Sequence, residues 1–356
     1  MTVKKVTVVA GEDAAPEAME SSVELLDKMG LGIEWIWPLV GNEATARGLP
    51  PFPEEARAQI DAADATFFGA TSGPTVPVLF YLRWGKETYA NVRPTRWIPG
   101  FRSSLAKPQG IDLVIIRENL EDAYVLIEGE VADLAPLNLT SLTTQKKAHE
   151  LGEGKFAVKI ITRKRSEEVL RFGFDLARRR KAEGFPGKIT VSAKWNMLFQ
   201  TDGLFVTVAR ELSPEYPDIS LETLIVDDFA HRLVSNPHSF DVVVLPNLYG
   251  DILSDAAAGL AGGLGLAASG CYGRDYAYFE SVHGTAPDIA GKGIINPTAS
   301  LLSAVLMLDY LGYSQASKSL REAIETVYRE GRKLTPDQGG KSSTREFCAA
   351  VWGKLK

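Results

Sequence analysis

Runs of β-branched and apolar residues alternate with helical patterns along this chain, and that alternation constrains the fold more than any other feature. The first run, residues 3–10, is broken by Gly11, and Asp13 and Pro16 then resemble the start of a helix. The other β-rich runs lie at residues 63–70, 111–118, 154–163, 187–194 and 240–247. Strands that alternate with helices predict an α/β fold. Residues 133–155 and 235–240 are predicted to form loops or insertions between these elements.

Charge and cysteine content exclude several classes of protein. The 356 residues carry 39 Lys+Arg against 45 Asp+Glu, a net charge of −6, which argues against a surface built for nucleic acid or an anionic membrane. An anionic ligand must therefore meet a local basic cluster. Cys271 and Cys348 are too few and too far apart for a disulfide framework or a paired metal site, and both are interpreted as inert thiols.

No recognisable targeting or dinucleotide fingerprint is present in the sequence. The N-terminal apolar run is short and is followed at once by acids, unlike a signal peptide, and no apolar stretch approaches membrane-spanning length. We therefore expect a cytoplasmic protein. No G-x-G-x-x-G motif follows a strand, so a bound NAD would need a different loop from that of the Rossmann fold.

Three arginines lie in segments that suit an anion: Arg83 in YLRWGKE, Arg93 in ANVRPTR and Arg117 in IIREN. A guanidinium stays charged and its fork matches a carboxylate, so converging arginines suit a di- or tricarboxylate. Arg117 is the most informative because it ends an apolar run, where open α/β sheets place their ligands. A solvated surface charge is the alternative for each arginine taken alone.

Two acids stand four residues apart, Asp251 and Asp255 in NLYGDILSDAAAG. On a helix this spacing puts both carboxylates on one face, where they repel each other unless a cation neutralises them. Hard oxygen ligands suit Mg²⁺ or Mn²⁺ better than Zn²⁺. A helix cap followed by an exposed acid is the alternative.

Three further segments carry polar groups after apolar runs. Lys194 and Asn196 follow one run and Asp227 ends another. The stretch 279–299 is rich in glycine and turn residues, so its backbone amides could approach the phosphate of a nucleotide closely. A purely structural loop is the alternative for that stretch.

Taken in order, four motifs resemble those of the β-decarboxylating dehydrogenases, the family of isocitrate, homoisocitrate, 3-isopropylmalate, tartrate and D-malate dehydrogenases. The motifs are ANVRP, IIREN followed by Tyr124, GDILSDAAAGLAGGLGLAASG and HGTAPDIAGKGIINPTA. The resemblance implies an isopropylmalate dehydrogenase-like α/β fold, with two domains and a mixed parallel and antiparallel sheet, and not a Rossmann fold. It implies a large cofactor-binding domain of residues 1–96 plus 258–356. Residues 97–257 would form the small domain with substrate, metal and dimer contacts.

The resemblance also implies a role for each matching residue. Substrate binding falls on Arg83, Arg93, Arg117 and Asn196. The acid/base pair is Tyr124 and Lys194. The Mg²⁺ or Mn²⁺ ligands are Asp227, Asp251 and Asp255. Lys194 and Asp227 would reach the active site of the partner subunit, so we expect a homodimer with shared active sites.

The reaction implied is oxidative decarboxylation of a 3-substituted (2R)-malate to a 2-oxo acid, CO₂ and NADH. NAD is expected because Asp288 and Ile289 stand where NADP-using relatives carry lysine and tyrosine, and an acid repels a 2′-phosphate. The expected contacts of the cofactor are His283, Gly284, Thr285, Ala286, Asp288, Ile289 and Asn296.

The sequence departs from the family pattern in two places. GEDAAPE, residues 11–17, replaces a glycine-richer turn that relatives place near the nicotinamide end of the bound cofactor. Pro77, Leu79 and Phe80 stand where isocitrate or homoisocitrate enzymes carry polar or charged residues, so Leu79 and Phe80 favour an apolar substituent, as in 3-isopropylmalate. Isocitrate, homoisocitrate, tartrate and D-malate stay open as substrates, because Lys86, Trp84 or Arg96 could supply another contact. A non-catalytic regulatory subunit and a pure binding module are the remaining alternatives.

Overall fold

Twelve strands form within residues 3–355, the part of the chain that this computed structural model describes. They are β1 Lys4–Val9, β2 Ile33–Ile36, β3 Ala65–Phe68, β4 Ala90–Arg96, β5 Asp112–Glu118, β6 Glu128–Glu130, β7 Lys155–Ala157, β8 Lys188–Ala193, β9 Ser220–Ile225, β10 Val242–Leu245, β11 Ala268–Tyr272 and β12 Ala277–Ser281.

Helices separate most of these strands along the chain. They are α1 Ala15–Lys28, α2 Gly41–Ala46, α3 Glu54–Asp61, α4 Val76–Phe80, α5 Arg163–Ala182, α6 Thr201–Leu212, α7 Val226–Ser235, α8 Asn247–Ala261, α9 Thr298–Tyr310, α10 Ser314–Glu330 and α11 Thr344–Trp352. A π-helical turn, Tyr81–Gly85, continues α4. Among the described residues, the structure shows no helix that could span a membrane.

Ten of the strands form one mixed sheet in the order β2-β1-β3-β12-β11-β4-β5-β10-β8-β9. The strands at the two ends run parallel to their neighbours, whereas β4 pairs antiparallel with both β11 and β5. The predicted mixed α/β sheet is therefore confirmed. Strands β6 and β7 form a separate antiparallel pair at the two ends of the segment predicted as a loop, residues 133–155.

The run at residues 154–163 was predicted as one long strand, and this prediction is wrong. Only β7 is extended there, and it belongs to the small two-stranded sheet. The remainder of the run turns toward residue 122, where Ile160 makes an isolated bridge with Asp122. Lys159 supplies the physical reason, because its ammonium forms ion pairs with buried carboxylates instead of facing solvent from a strand.

Buried apolar residues form separate clusters on the two halves of the large sheet. One half joins α1, α9 and α10 to β1, β3 and β12 around residues such as Phe67, Phe279 and Leu308. The other half joins α5 and α6 to β8 and β10 around residues such as Phe174 and Val244. We propose that these halves correspond to the two domains expected from the sequence, 1–96 plus 258–356 and 97–257.

Strand β4 crosses the middle of this sheet and presents different residues to its two faces. Side chains alternate along a strand, so Asn91 and Arg93 share one face while Arg96 lies on the other. Helix α8 packs over the face of Arg93, and a Cβ at Gly250 would lie only 2.7 Å from the Cβ of Arg117. Glycine at this position therefore lets α8 approach β5 closely enough to bring its acidic side chains to the arginines.

Candidate active site

The three arginines singled out in the sequence converge near one partly buried acid, Glu280. Arg83 lies on the π-helical turn, Arg93 in the middle of β4 and Arg117 near the end of β5. Burial raises the pKa of the Glu280 carboxyl on β12, although the positive charges of all three arginines oppose that shift. Burial, together with the charge of Arg93, lowers the pKa of Arg117. The site is thus a concentration of positive charge.

Helix α8 presents the predicted acid pair to these arginines. Arg117 forms an ion pair and a hydrogen bond with Asp251 through Nη1. Arg93 Nη1 lies 3.0 Å from Asp255 Oδ1, and the Tyr124 hydroxyl donates to Asp251 Oδ2 at 2.6 Å. The predicted helical spacing of the two acids is confirmed, and both carboxylates face the arginine cluster.

The two acids of α8 differ in their electrostatic surroundings. Burial alone would raise the pKa of Asp251, but the charge of Arg117 and the hydrogen bond from Tyr124 hold that pKa below its usual value. Burial raises the pKa of Asp255, and its neighbour Asp251 adds to the shift. Burial also raises the pKa of Tyr124, and its bond to Asp251 adds to that shift. A cation placed between the two acids would relieve their mutual repulsion.

Some polar atoms of the cluster have no hydrogen-bond partner among residues 3–355. Arg117 Nη2, Arg83 Nε and Asn91 Nδ2 are all buried and unpaired in this way. Buried donors without partners are costly, so native proteins rarely keep them unless a ligand completes the bonding. These donors fit the carboxylates of a small anionic substrate.

Residues that the sequence interpretation missed hold the arginines in place. Arg117 Nε donates to Asn247 Oδ1 at 2.8 Å, and Arg93 Nη1 donates to the Ser254 hydroxyl at 2.8 Å. Asn247 precedes Asp251 by four positions and Ser254 follows it by three, so helical spacing could have found both. Glu280 was also missed, although an acid within the apolar strand AYFES is itself a signal of a buried charge.

Lys194, Asn196 and Asp227 lie outside this cluster. Lys194 Nζ forms an ion pair with Asp227 Oδ1 at 2.5 Å, and Asn196 is exposed. Within residues 3–355, no hydrogen bond or ion pair joins any of the three to Asp251 or Asp255. The hydrogen bond from Lys194 lowers the pKa of Asp227.

The donor set of a single subunit suits a divalent cation only in part. Asp251 and Asp255 provide two hard oxygen groups on one helix face, as Mg²⁺ and Mn²⁺ prefer. Within the described part of the chain, no group of three His, Cys, Asp or Glu side chains comes together as a metal site. Asp227 would have to come from another subunit to complete the predicted set.

The loop that contains residues 283–289 borders the start of α1. His283 Nδ1 lies 2.8 Å from the carbonyl oxygen of Gly284, while its Nε2 is buried without a partner among the described residues. Burial lowers the pKa of His283, so the ring is neutral at pH 7. The carbonyl oxygen of Thr285 accepts from the amide of Ala14 at 3.0 Å. The unpaired Nε2 fits a nitrogen or hydroxyl group of an adenosine.

The other predicted cofactor residues divide into exposed and structural ones. Asp288 is exposed, and Ala286 adopts a left-handed conformation with φ 54°. Ile289 packs against the apolar residues at the start of α1. Asn296 Nδ2 donates to Asp337 at 2.9 Å and its Oδ1 accepts from the Thr298 amide, so its side chain already stabilises the loop.

The segment before Arg83 presents an apolar surface. Phe80 is 44% exposed, and its ring meets Trp84 edge-on at 5.0 Å between centroids. Trp84 is fixed because its indole N–H donates to the carbonyl oxygen of Leu120 at 3.0 Å. Leu79 packs partly into the neighbouring core cluster.

Lys86 and Arg96, the two cations that could have paired with a carboxylate on the substrate's substituent, form ion pairs with acids of this chain instead. Lys86 Nζ lies 2.5 Å from Asp61 Oδ1. Arg96 points to the opposite face of the sheet from Arg93, where it forms ion pairs with Asp112 and Glu325. The alternative route to a carboxylated substituent through Lys86 or Arg96 therefore has no support in the geometry.

The unusual GEDAAPE segment ties the two loops around the site together. Glu12 is buried and accepts hydrogen bonds from the amides of Ser72 at 3.1 Å and Thr75 at 2.9 Å. It also accepts from the Thr75 hydroxyl at 2.5 Å. Ser72 in turn contacts the hydroxyl of Thr285 at 3.3 Å. Glu12 thus holds the loop of Ser72 and Thr75, and through Ser72 it also connects to the loop of residues 283–289.

The fold and the site first define a class of protein, an α/β enzyme whose arginine and carboxylate cluster suits a small anionic substrate. The chain belongs to the isocitrate/isopropylmalate dehydrogenase family, whose model matches residues 5–351. The family, the fold and the dehydrogenase class predicted from the sequence are therefore confirmed.

Similar proteins cover the whole chain and differ in the substrates that their names give. The 3-isopropylmalate/3-methylmalate dehydrogenase of Methanocaldococcus jannaschii is 40% identical, with 99% of each chain covered. The isocitrate/homoisocitrate dehydrogenase of Thermus thermophilus is 41% identical, with 99% of this chain and 98% of the relative covered. The crystal structure of isocitrate dehydrogenase from Methylococcus capsulatus matches with a TM-score of 0.86 and 35% identity, covering 99% of both chains.

Proposed function

We propose that this enzyme catalyses the NAD-dependent, Mg²⁺- or Mn²⁺-dependent oxidative decarboxylation of a (2R)-malate with an apolar substituent at carbon 3. The supporting observation is the convergence of Arg83, Arg93 and Arg117 beside Asp251 and Asp255, with buried guanidinium nitrogens left unpaired. That arrangement suits a dicarboxylate whose hydroxyl lies near a cation. Two relatives named as NAD-linked isocitrate dehydrogenases support the choice of cofactor.

The reaction oxidises the 2-hydroxyl to a ketone, releases the β-carboxylate as CO₂ and adds a proton to carbon 3 in place of that carboxylate. When bound, the divalent cation supplies positive charge beside the reacting oxygen, and NAD supplies the hydride acceptor. Asp251 and Asp255, with Asp227 of the partner subunit, would hold the cation. His283, whose Nε2 is buried and unpaired among the described residues, and the neighbouring loop would hold the adenosine.

The side chains of this chain bind the substrate and move its protons. The arginines bind the two carboxylates and fix the face of carbon 2 that meets the nicotinamide. Lys194 of the partner subunit accepts the hydroxyl proton, and Asn196 of the partner subunit lies beside the substrate. Tyr124, whose hydroxyl points at the acid pair, donates a proton to carbon 3 after CO₂ leaves.

The substituent would lie against Leu79, Phe80 and Trp84. These side chains offer no charge, and the indole N–H of Trp84 is already bonded to a carbonyl. A third carboxylate buried there without a partner would be costly. Isocitrate or homoisocitrate is the second candidate substrate, because a relative that is 41% identical carries those names.

A substrate panel tests the apolar assignment. We expect kcat/KM with 3-isopropylmalate to exceed that with isocitrate or homoisocitrate by roughly 10- to 100-fold, since an unpaired polar group costs about 1–3 kcal/mol. Malate and tartrate should be poorer because they leave the apolar wall exposed. F80R should shift the preference toward homoisocitrate, and F80L is the control for size alone. Equal or better turnover of isocitrate by the native chain would contradict the assignment.

The cofactor preference depends on Asp288. We expect kcat/KM for NAD to exceed that for NADP by about tenfold or more, because the exposed Asp288 carboxylate repels a 2′-phosphate. D288K should narrow that ratio by raising turnover with NADP. D275K, which changes an exposed acid outside this loop in the same way, should leave the ratio unchanged. A native preference for NADP would refute the role given to Asp288.

We also propose that the active unit is a homodimer with shared active sites, located in the cytoplasm. Exposed apolar side chains support an interface, because large contiguous apolar surfaces are uncommon on monomers. They lie around the small two-stranded sheet, at Leu126, Ile127, Leu137, Leu139, Leu142 and Leu151. A regulatory subunit without activity is disfavoured because the predicted catalytic and metal-binding residues are all present.

A further inference from the structure

Lys159 lies between β7 and α5, outside every motif that the family resemblance picks out. Its ammonium lies 2.6 Å from Asp202 Oδ1 and 3.2 Å from Asp122 Oδ1. The side chains of both aspartates are fully buried, and 18% of the lysine side chain is exposed. Two buried carboxylates at such distances from one cation depend on it, because without it each would be an uncompensated buried charge.

Each aspartate is bonded to the backbone of a segment that carries an active-site residue. Asp202 Oδ2 accepts from the amide of Lys194 at 2.7 Å. Asp122 Oδ1 accepts from the amide of Ala123, next to Tyr124, at 2.8 Å. Its other oxygen accepts from the amide of Leu248, in the first turn of α8, at 3.0 Å. One cation therefore connects the segments of the acid, the base and the metal-binding helix.

Two further observations support this connection. Lys159 Nζ lies 4.5 Å from the centroid of the Tyr249 ring, two positions before Asp251. Asp122 adopts a φ of 72°, an unusual value for a residue other than glycine. Such a conformation persists where surrounding contacts enforce it, and the bonds of the Asp122 carboxylate provide those contacts.

We propose that Lys159 is a positioning residue that fixes the segments of Tyr124, Lys194 and Asp251 relative to one another. The inference rests on the proposed function, in which Tyr124 and Asp251 serve one active site and Lys194 serves that of the partner subunit. The Lys159 cation then acts on both active sites of the dimer. Lys159 touches no substrate, so its loss should disturb the alignment of catalytic groups more than the binding of the hydroxy acid.

The test compares K159M with K159R and with K188M in the full-length enzyme. Lys188 is a matched control because it forms a 2.7 Å ion pair with Glu222, has similar exposure and lies at the far end of β8 from Lys194. We expect K159M to lower kcat on the order of 10²-fold while KM for the hydroxy acid changes less than about threefold. K159R should recover at least about a third of kcat, and K188M should stay within about twofold of the native enzyme.

Thermal melting of each variant separates a positioning role from loss of the fold. If K159M melts as the native enzyme does but keeps its kcat, or if its KM rises with kcat unchanged, the inference is wrong. If K159M does not melt cooperatively, the kcat and KM of D202N test the inference instead. We then expect kcat about tenfold lower with KM unchanged, because the anchor of the Lys194 amide is weakened. A D202N variant with native kcat would overturn the inference.

The assay must use whichever hydroxy acid the native enzyme turns over best. A native enzyme with no activity on any 3-substituted malate contradicts the proposed function. If the native enzyme is active and K159M is equally active, only the role of Lys159 is contradicted. The two failures are therefore distinguishable.

Discussion

D251N should lower kcat on the order of 10³-fold, the largest effect that we expect of a single substitution. Asp251 accepts from both Arg117 and Tyr124, and it is one of the two acids on the face of α8 that meets the arginines. Asparagine keeps the shape and an oxygen acceptor but removes the negative charge that a divalent cation requires. NADH formation at saturating substrate and excess Mg²⁺ or Mn²⁺ measures the effect.

The control is D112N, because Asp112 is also half-buried and paired with arginines but lies on the opposite face of the sheet. We expect D112N to keep kcat within about twofold and both variants to melt cooperatively. Chelation of divalent cations should stop turnover by the native enzyme, and added Mn²⁺ should restore it. Native activity in D251N, or turnover that chelation leaves unchanged, would refute the metal assignment.

Mixed dimers of two nearly inactive variants should regain activity if the active sites are shared. K194M and D251N should each have very little activity alone. In a mixed dimer, one site combines the native Asp251 of one subunit with the native Lys194 of its partner and is therefore intact. Random assembly makes about half of the dimers mixed with one of two sites working, so about a quarter of native activity should return.

Each variant refolded alone under the same conditions is the control for this experiment. If Lys194 acted within its own subunit, every site in a mixed dimer would lack one group and no activity would return. That outcome would overturn the shared site and would place Lys194 near the Tyr124 of its own chain. We expect recovery because, among the described residues, no hydrogen bond or ion pair joins Lys194 or Asp227 to the acids of α8 within one subunit.

The sequence was sufficient for the parts of the site that depend on local periodicity. Asp251 and Asp255 share a face because helical spacing requires it, and the glycine-rich stretch containing His283 lies beside α1. Strand β4 was harder to predict, because Pro94 and two arginines interrupt its apolar pattern although Arg93 lies at its centre. Its position in the sheet depends on pairing with β5 and β11, which are distant in sequence.

The positions of charges buried by distant contacts could not be predicted from local pattern. Lys159 lies in an apolar run that is typical of a strand. Its neighbours in sequence do not indicate that Asp122 and Asp202 are its partners. The surroundings of Glu280 likewise depend on three arginines from three separate segments. Such groups are identified only when the fold brings their partners together, because a buried charge needs a compensating charge in space and not in sequence.

The way Glu12 holds the loop before α4 bears on how readily this enzyme could acquire a new substrate. Glu12 bonds to the amides of Ser72 and Thr75 and to the Thr75 hydroxyl, so it holds mostly main chain. Side chains further along, such as Leu79 and Phe80, take no part in that anchoring. They could be exchanged by laboratory evolution without loosening the loop, which makes this short segment a practical starting point for libraries aimed at malates with other substituents.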